Sequence, residues 1–213
     1  MNVINARKAV LEHFRWDGGH ADVWSVFRDG PALAATVRAL VEPFRSAGVT
    51  AVAGVESRGF LLGAAAAIEL GVGFVAVRKA AGLLPGPKLS RDAEPVDCRF
   101  VGSSSAAGGC RLVPRQPPPF ATSQPSRSDY LRPRHTLRLQ RSALCERDRV
   151  LLVDDWIETG SQAAAVRELV RECGAGWAGC AVIVDQLTGG RRPALGPIHG
   201  LLRADQLPAV PGS

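Results

Sequence analysis

The chain has 213 residues, 46% of them hydrophobic, which suits one sizeable soluble α/β domain spanning 1–213. Lys plus Arg exceed Asp plus Glu by 26 − 20 = +6, but the charges are scattered and no basic run is interleaved with aromatics, so an anionic small molecule explains the balance better than nucleic acid does. The N-terminus lacks the apolar core of a signal peptide and no run approaches the roughly 18 apolar residues of a membrane span, so a cytoplasmic location with no membrane partner is expected.

The cysteines Cys98, Cys110, Cys145, Cys173 and Cys180 form no C-x-x-C pair and lie near no His at zinc-ligand spacing, and they read as reduced, incidental thiols. The basic charge is almost all Arg, since Lys8, Lys79 and Lys88 are the only lysines. With abundant Ala, Gly and Pro, that reads as the coding bias of a GC-rich genome.

In chain order, Val3, Ile4, Ala6, Val10, Leu11 and Phe14 have the spacing of an amphipathic opening helix. Residues 16–20 read as a turn-rich link, and Pro31 starts a second helix that runs to Phe44. Residues 49–55 predict a buried strand, followed by the polar turn Glu56-Ser57-Arg58-Gly59 and a small-residue helix over 60–70. That turn is either a tight βα loop with an exposed arginine or a place where backbone N–H groups and Arg58 converge on a ligand. A second strand, 72–77, ends in Arg78-Lys79, a basic pair that suits an anion or a solvated edge.

From residue 88 to about 134 regular patterning is lost. The window 96–128 holds five Pro, six Ser and three Gly in 33 residues with no sustained period of 2 or 3.6, and it is expected to be disordered. Asp129-Tyr130 could follow Pro95 directly, so the window reads as an insertion, with an out-of-frame stretch between compensating frameshifts as one origin. His135 to Leu139 alternates like a half-exposed strand. Val150-Leu151-Leu152-Val153 is a strand buried on both faces, and 161–173 has the composition of a helix. Between them, Asp154-Asp155 could accept hydrogen bonds from two neighbouring hydroxyls, while the N–H groups around Thr159, Gly160 and Ser161 open a helix and can cradle a phosphate. Taken alone, 150–162 is equally a ligand loop or an ordinary αβ connection with a capped helix. A last strand covers 177–185, and the loop-rich remainder includes Leu201-Leu202, expected to close the fold.

The stretch from Val150 to Gln162 resembles the phosphoribosyl pyrophosphate signature of type I phosphoribosyltransferases: apolar strand, paired acids, three residues, then Thr-Gly and a small polar turn. Ala53 to Gly63 is similar to the diphosphate-binding turn of adenine phosphoribosyltransferases. Arg78-Lys79 with Leu84-Pro85-Gly86-Pro87 resembles the approach to that family's mobile catalytic loop, and Val26-Phe27-Arg28-Asp29 resembles its base-site segment. The four blocks fall in the family's order.

The resemblance implies a central, mainly parallel sheet flanked by helices with a small hood, and places the 96–128 insertion in the catalytic lid. It implies transfer of 5-phosphoribose from phosphoribosyl pyrophosphate to a purine, adenine favoured, with Mg²⁺ carried by the donor rather than by a protein metal site. Small-molecule substrates and a second copy of the chain, as a homodimer, are the implied partners. Carried over by residue, Asp154 and Asp155 would bind the ribose hydroxyls and Thr159, Gly160, Ser161 and Gln162 the 5-phosphate. Ser57, Arg58, Gly59, Arg78 and Lys79 would face the diphosphate, with Phe27, Arg28 and Leu187 at the base; Asp154, Asp155 and Arg58 form the implied catalytic set. Thr159-Gly160-Ser161-Gln162 stands where many members read Thr-Gly-Gly-Thr, Glu158 where a small residue is common, and Arg138 where adenine-specific members carry an acid.

Other readings differ in class. A regulatory protein could use the same fold to sense the donor without transferring it. A response-regulator receiver would also open on Val-Asp-Asp, but only 58 residues follow Asp155 and no lysine follows Lys88. A P-loop is excluded because no G-x-x-x-x-G-K-[ST] occurs.

Overall fold

A computed structural model describes residues 3–17, 20–80, 84–93, 135–188, 190 and 192–209. The expected disordered insertion at 96–128 lies outside them. Helix α1 (Val3–His13) buries Ala6 and Val10. The link that follows is a correction to the sequence reading: β1 (Arg15–Asp17) and β2 (His20–Asp22) pair antiparallel as a small hairpin. Three-residue strands are too short to show a period, so only their pairing reveals them. Helix α2 (Trp24–Arg28) leads to α3 (Gly30–Val41), where the Asp29 side chain accepts the Ala32 N–H at 2.7 Å and Pro31 occupies the first turn.

Strand β3 (Ala51–Val55) is followed by α4 (Arg58–Leu70) and β4 (Gly73–Lys79). Next come β5 (Lys88–Ala93) and β6 (His135–Gln140), then β7 (Arg149–Ile157), α5 (Ser161–Glu172), β8 (Gly176–Asp185), α6 (Arg192–Leu195) and β9 (Ile198–Arg203). β5 is a second correction. Its sequence is polar and mostly exposed, and only the antiparallel ladder to β6, from Lys88 opposite Gln140 to Ala93 opposite His135, defines it as a strand.

Among the described residues, seven strands form one sheet in the order β5-β6-β4-β3-β7-β8-β9. The five from β4 to β9 are parallel neighbours, and β6 runs antiparallel to both β4 and β5. Alternate residues serve opposite faces. Val52, Leu151 and Val153 join Leu40 and Leu62 in one core beneath α1, α3 and α4, whereas Ala53, Val150 and Leu152 join Val166 and Leu169 of α5 in the other. β3 is followed in the sheet by β4 on one side and β7 on the other, so strand order reverses between β3 and β7 and their outgoing helices leave on opposite faces. That geometry opens a crevice at the carboxyl ends of β3 and β7, the place where open α/β sheets bind ligands.

Candidate active site

The crevice is a cleft of about 490 Å³ whose walls are the two turns singled out in the sequence. From the β3 side come Glu56, Ser57 and Arg58; from the β7 side come Asp154 through Ala163; Lys79 enters from the end of β4. Leu152, Cys180 and Val182 are apolar floor residues. The peptide between Glu56 and Ser57 is cis.

β7 extends four residues beyond the apolar run, because its parallel pairing with β8 continues through Asp154 opposite Val182 and Ile157 opposite Asp185. Asp154 and Asp155 therefore lie within the strand and not in the turn after it. The Asp155 N–H donates to Asp154 Oδ1 at 2.9 Å. Asp155 is buried, and its Oδ2 lies 3.1 Å from Arg58 Nη1 but outside hydrogen-bond alignment, so among the described residues this buried carboxylate oxygen has no hydrogen-bond donor. Burial, followed by the adjacent Asp155 charge, holds the Asp154 carboxyl well above the usual range, and Arg58 only partly offsets this. Burial and then Asp154 push the Cys180 thiol up to about 12, so it is protonated at neutral pH and serves as floor, not nucleophile.

Backbone shape sets the two turns. At Gly54 an added Cβ would lie 2.1 Å from the Gly59 carbonyl oxygen, so the absence of a side chain lets the turn fold back on β3 and brings Gly59 against the Asp154 carboxylate. Gly160 is left-handed, with φ +72°, and a Cβ there would lie 2.9 Å from Leu195 Cδ1 and 3.1 Å from Leu187 Cδ1. Thr159 Oγ1 donates to Ser161 Oγ at 3.0 Å and accepts the Ser161 N–H at 3.3 Å. Neither α4 nor α5 has a side-chain cap or an acidic residue in its first turn. Two helix N-termini thus meet one cleft with amides and positive dipole ends directed to it, an arrangement that favours a phosphorylated ligand.

Of the residues expected to contact the donor, Ser57, Arg58, Lys79, Asp154, Asp155, Thr159, Gly160, Ser161 and Gln162 line the cleft, and Gly59 is buried beside it. Arg78 does not line it; its Nε donates to Glu56 Oε2 at 2.7 Å. Phe27 and Arg28, on α2, are not among the residues that line it, and Phe27 is edge-on to Trp24. Leu187 is buried against Gly160. Sequence reasoning missed Glu56 and Trp156. Glu56 could have been suspected as the one acid of its turn, and Trp156 stood beside the paired acids, its indole N–H donating to Gln186 Oε1 at 2.8 Å.

The phosphoribosyl transferase domain model matches residues 23–201. The chain belongs to the phosphoribosyltransferase family. Within it, the chain is 35% identical over 188 residues to the adenine phosphoribosyltransferase of Methylococcus capsulatus, covering 85% of this chain and 86% of that one. It is 34% identical over 172 residues to the adenine phosphoribosyltransferase of Aliivibrio fischeri, covering 81% and 75%. The crystal structure of the adenine phosphoribosyltransferase from Rhodothermus marinus superposes with a TM-score of 0.69 at 28% identity, over 94% of this chain and 99% of that one. This phosphoribosyltransferase is therefore of type I and stands close to the adenine-named members, with the mainly parallel, helix-flanked sheet that the sequence predicts.

Proposed function

We propose that this phosphoribosyltransferase transfers 5-phosphoribose from phosphoribosyl pyrophosphate to a purine, adenine favoured, as the relatives' names suggest. The observation that carries the reading is the pairing, across one reversal of strand order, of two adjacent carboxylates with two uncapped helix N-termini. In this reading Asp154 and Asp155 accept hydrogen bonds from the ribose hydroxyls and the amides opening α5 hold the 5-phosphate. Ser57, Arg58, Gly59 and Lys79 face the diphosphate. Displacement at the anomeric carbon builds positive charge on the ribose and negative charge on the leaving diphosphate, so the cleft needs fixed charges of both signs and no strong nucleophile.

Mg²⁺ fits as cargo of the donor. Such an ion is commonly held by one or two carboxylates plus substrate phosphates, and the Oδ2 of Asp155, ion-paired with Arg58 but with no aligned hydrogen bond among the described residues, suits a cation or a hydroxyl. When bound, the ion neutralises leaving-group charge.

A donor-sensing protein without transferase activity is the second reading, favoured by Ser161-Gln162 in the phosphate turn and by Arg78 being engaged with Glu56. Incubation with donor, Mg²⁺ and each of adenine, guanine, hypoxanthine and orotate, with diphosphate release as readout, separates the two. Release with adenine above the other bases is expected. Donor binding without release with any base would establish the sensor instead.

A further inference from the structure

Asp185, the last residue of β8, and Arg192, the first of α6, form an ion pair that the proposed reaction does not use. Asp185 is 8% exposed. Its Oδ2 accepts Arg192 Nη2 at 2.5 Å and its Oδ1 accepts the Leu187 N–H at 3.0 Å, while Arg192 Nη2 also reaches the Leu187 carbonyl at 3.5 Å. One ion pair therefore ties the Leu187 backbone at both its donor and its acceptor. Helix α6 is itself held by Trp177 Nε1, which donates to the Leu195 carbonyl at 2.8 Å, and by Arg167, which donates to the Ala194 carbonyl. These bonds set Leu187 and Leu195 against Gly160, where the space left by a missing Cβ is already filled.

An ion pair buried at its carboxylate end and half-exposed at its guanidinium end is a weak stabiliser, because desolvation and solvent screening offset much of the Coulombic gain. What this pair supplies is direction, since it fixes the Leu187 backbone and through it the leucine that supports the left-handed turn before α5. We infer that Asp185 is a positioning residue for the turn at 159–163, acting through Leu187 on Gly160. The inference rests on the reading of that turn as the 5-phosphate site, but the positioning itself can be observed without donor.

The test compares wild type with Asp185→Ala and Asp185→Asn by hydrogen exchange in ligand-free protein and by calorimetric titration with phosphoribosyl pyrophosphate and Mg²⁺. The exchange readout is the peptide over 159–167, where the Ala164 N–H donates to the Gly160 carbonyl at 2.9 Å. Asp185→Ala is expected to speed exchange there and to weaken donor binding, each by about tenfold, with the β3 peptide unchanged. Asp185→Asn keeps an oxygen for the Leu187 N–H and is expected to restore both to within about threefold of wild type. Wild-type exchange and affinity in a folded Asp185→Ala overturn the inference, as does an Asn variant that restores nothing. Should Asp185→Ala not fold, Arg192→Ala, at a side chain 38% exposed, removes the hold on the Leu187 carbonyl and keeps that on its N–H; it is expected to speed exchange over 159–167 and to weaken donor binding by about threefold, and wild-type exchange and affinity in it overturn the inference. A wild type that binds no donor defeats the proposed function alone, and the ligand-free exchange then decides this inference.

Discussion

Asp154 and Asp155 are neighbours in sequence with different surroundings. Asp155 is buried with Arg58 beside it, whereas burial, and after it the adjacent Asp155 charge, raises the proton affinity of Asp154. For a carboxyl held above its ordinary value of 3.8, the folded chain binds more protons than the unfolded one between that value and the folded one. Its contribution to stability therefore declines as pH rises through that window and stays unfavourable above it. Asp154→Asn should melt higher than wild type at pH 8, with the gap closing as pH falls towards the ordinary carboxylate value, and should bind donor more weakly. Thermal unfolding across pH checks the first part and titration calorimetry the second; a variant less stable at pH 8 would show the carboxylate to be structural. Arg78 makes the complementary point. A basic pair at a strand end suits an anion, yet Arg78 bonds a glutamate 22 positions away, a partner that no local pattern names.

At the scale of elements, the phosphate turn depends on Gly160 twice, through its left-handed backbone and through the leucines packed where a Cβ would go. Gly160→Ala should cost about 1–2 kcal/mol for the backbone and a further ~1–3 kcal/mol for overlap with Leu187 and Leu195. Denaturant unfolding checks the sum, and a loss below about 1 kcal/mol would mean that the turn relaxes freely. The long buried strands were legible because a strand covered on both faces reads as an unbroken apolar run, as in Val150-Leu151-Leu152-Val153 and Ala181-Val182-Ile183-Val184. β5 and the β1–β2 hairpin were not, since their residues are polar or few and their hydrogen-bonding partners define them.

For the whole molecule, the cleft stands between elements from both halves of the chain, joined through the parallel contact of β3 with β7. A ligand that bridges the two turns should stabilise the entire fold. Donor with Mg²⁺ at 100 times its dissociation constant contributes about 2.7 kcal/mol, which for a chain of this size raises the melting temperature by roughly 5–10 °C. Scanning fluorimetry against donor concentration measures this, and an unchanged midpoint would argue that the site is not assembled for the donor.

The sequence by itself determined the chemistry of each turn and the family resemblance, because paired acids, glycines and helix starts act over a few residues and leave a local signature. It also determined the α/β alternation, through runs and periods that report burial. Only the tertiary structure decided that 56–59 and 154–162 share a cleft, that Asp154 and Asp155 lie inside β7, that Arg78 turns to Glu56, and that Leu187 supports Gly160. Each of these depends on which strand lies beside which and on side chains brought from distant positions, and a linear pattern carries no information about such neighbours until the sheet has assembled.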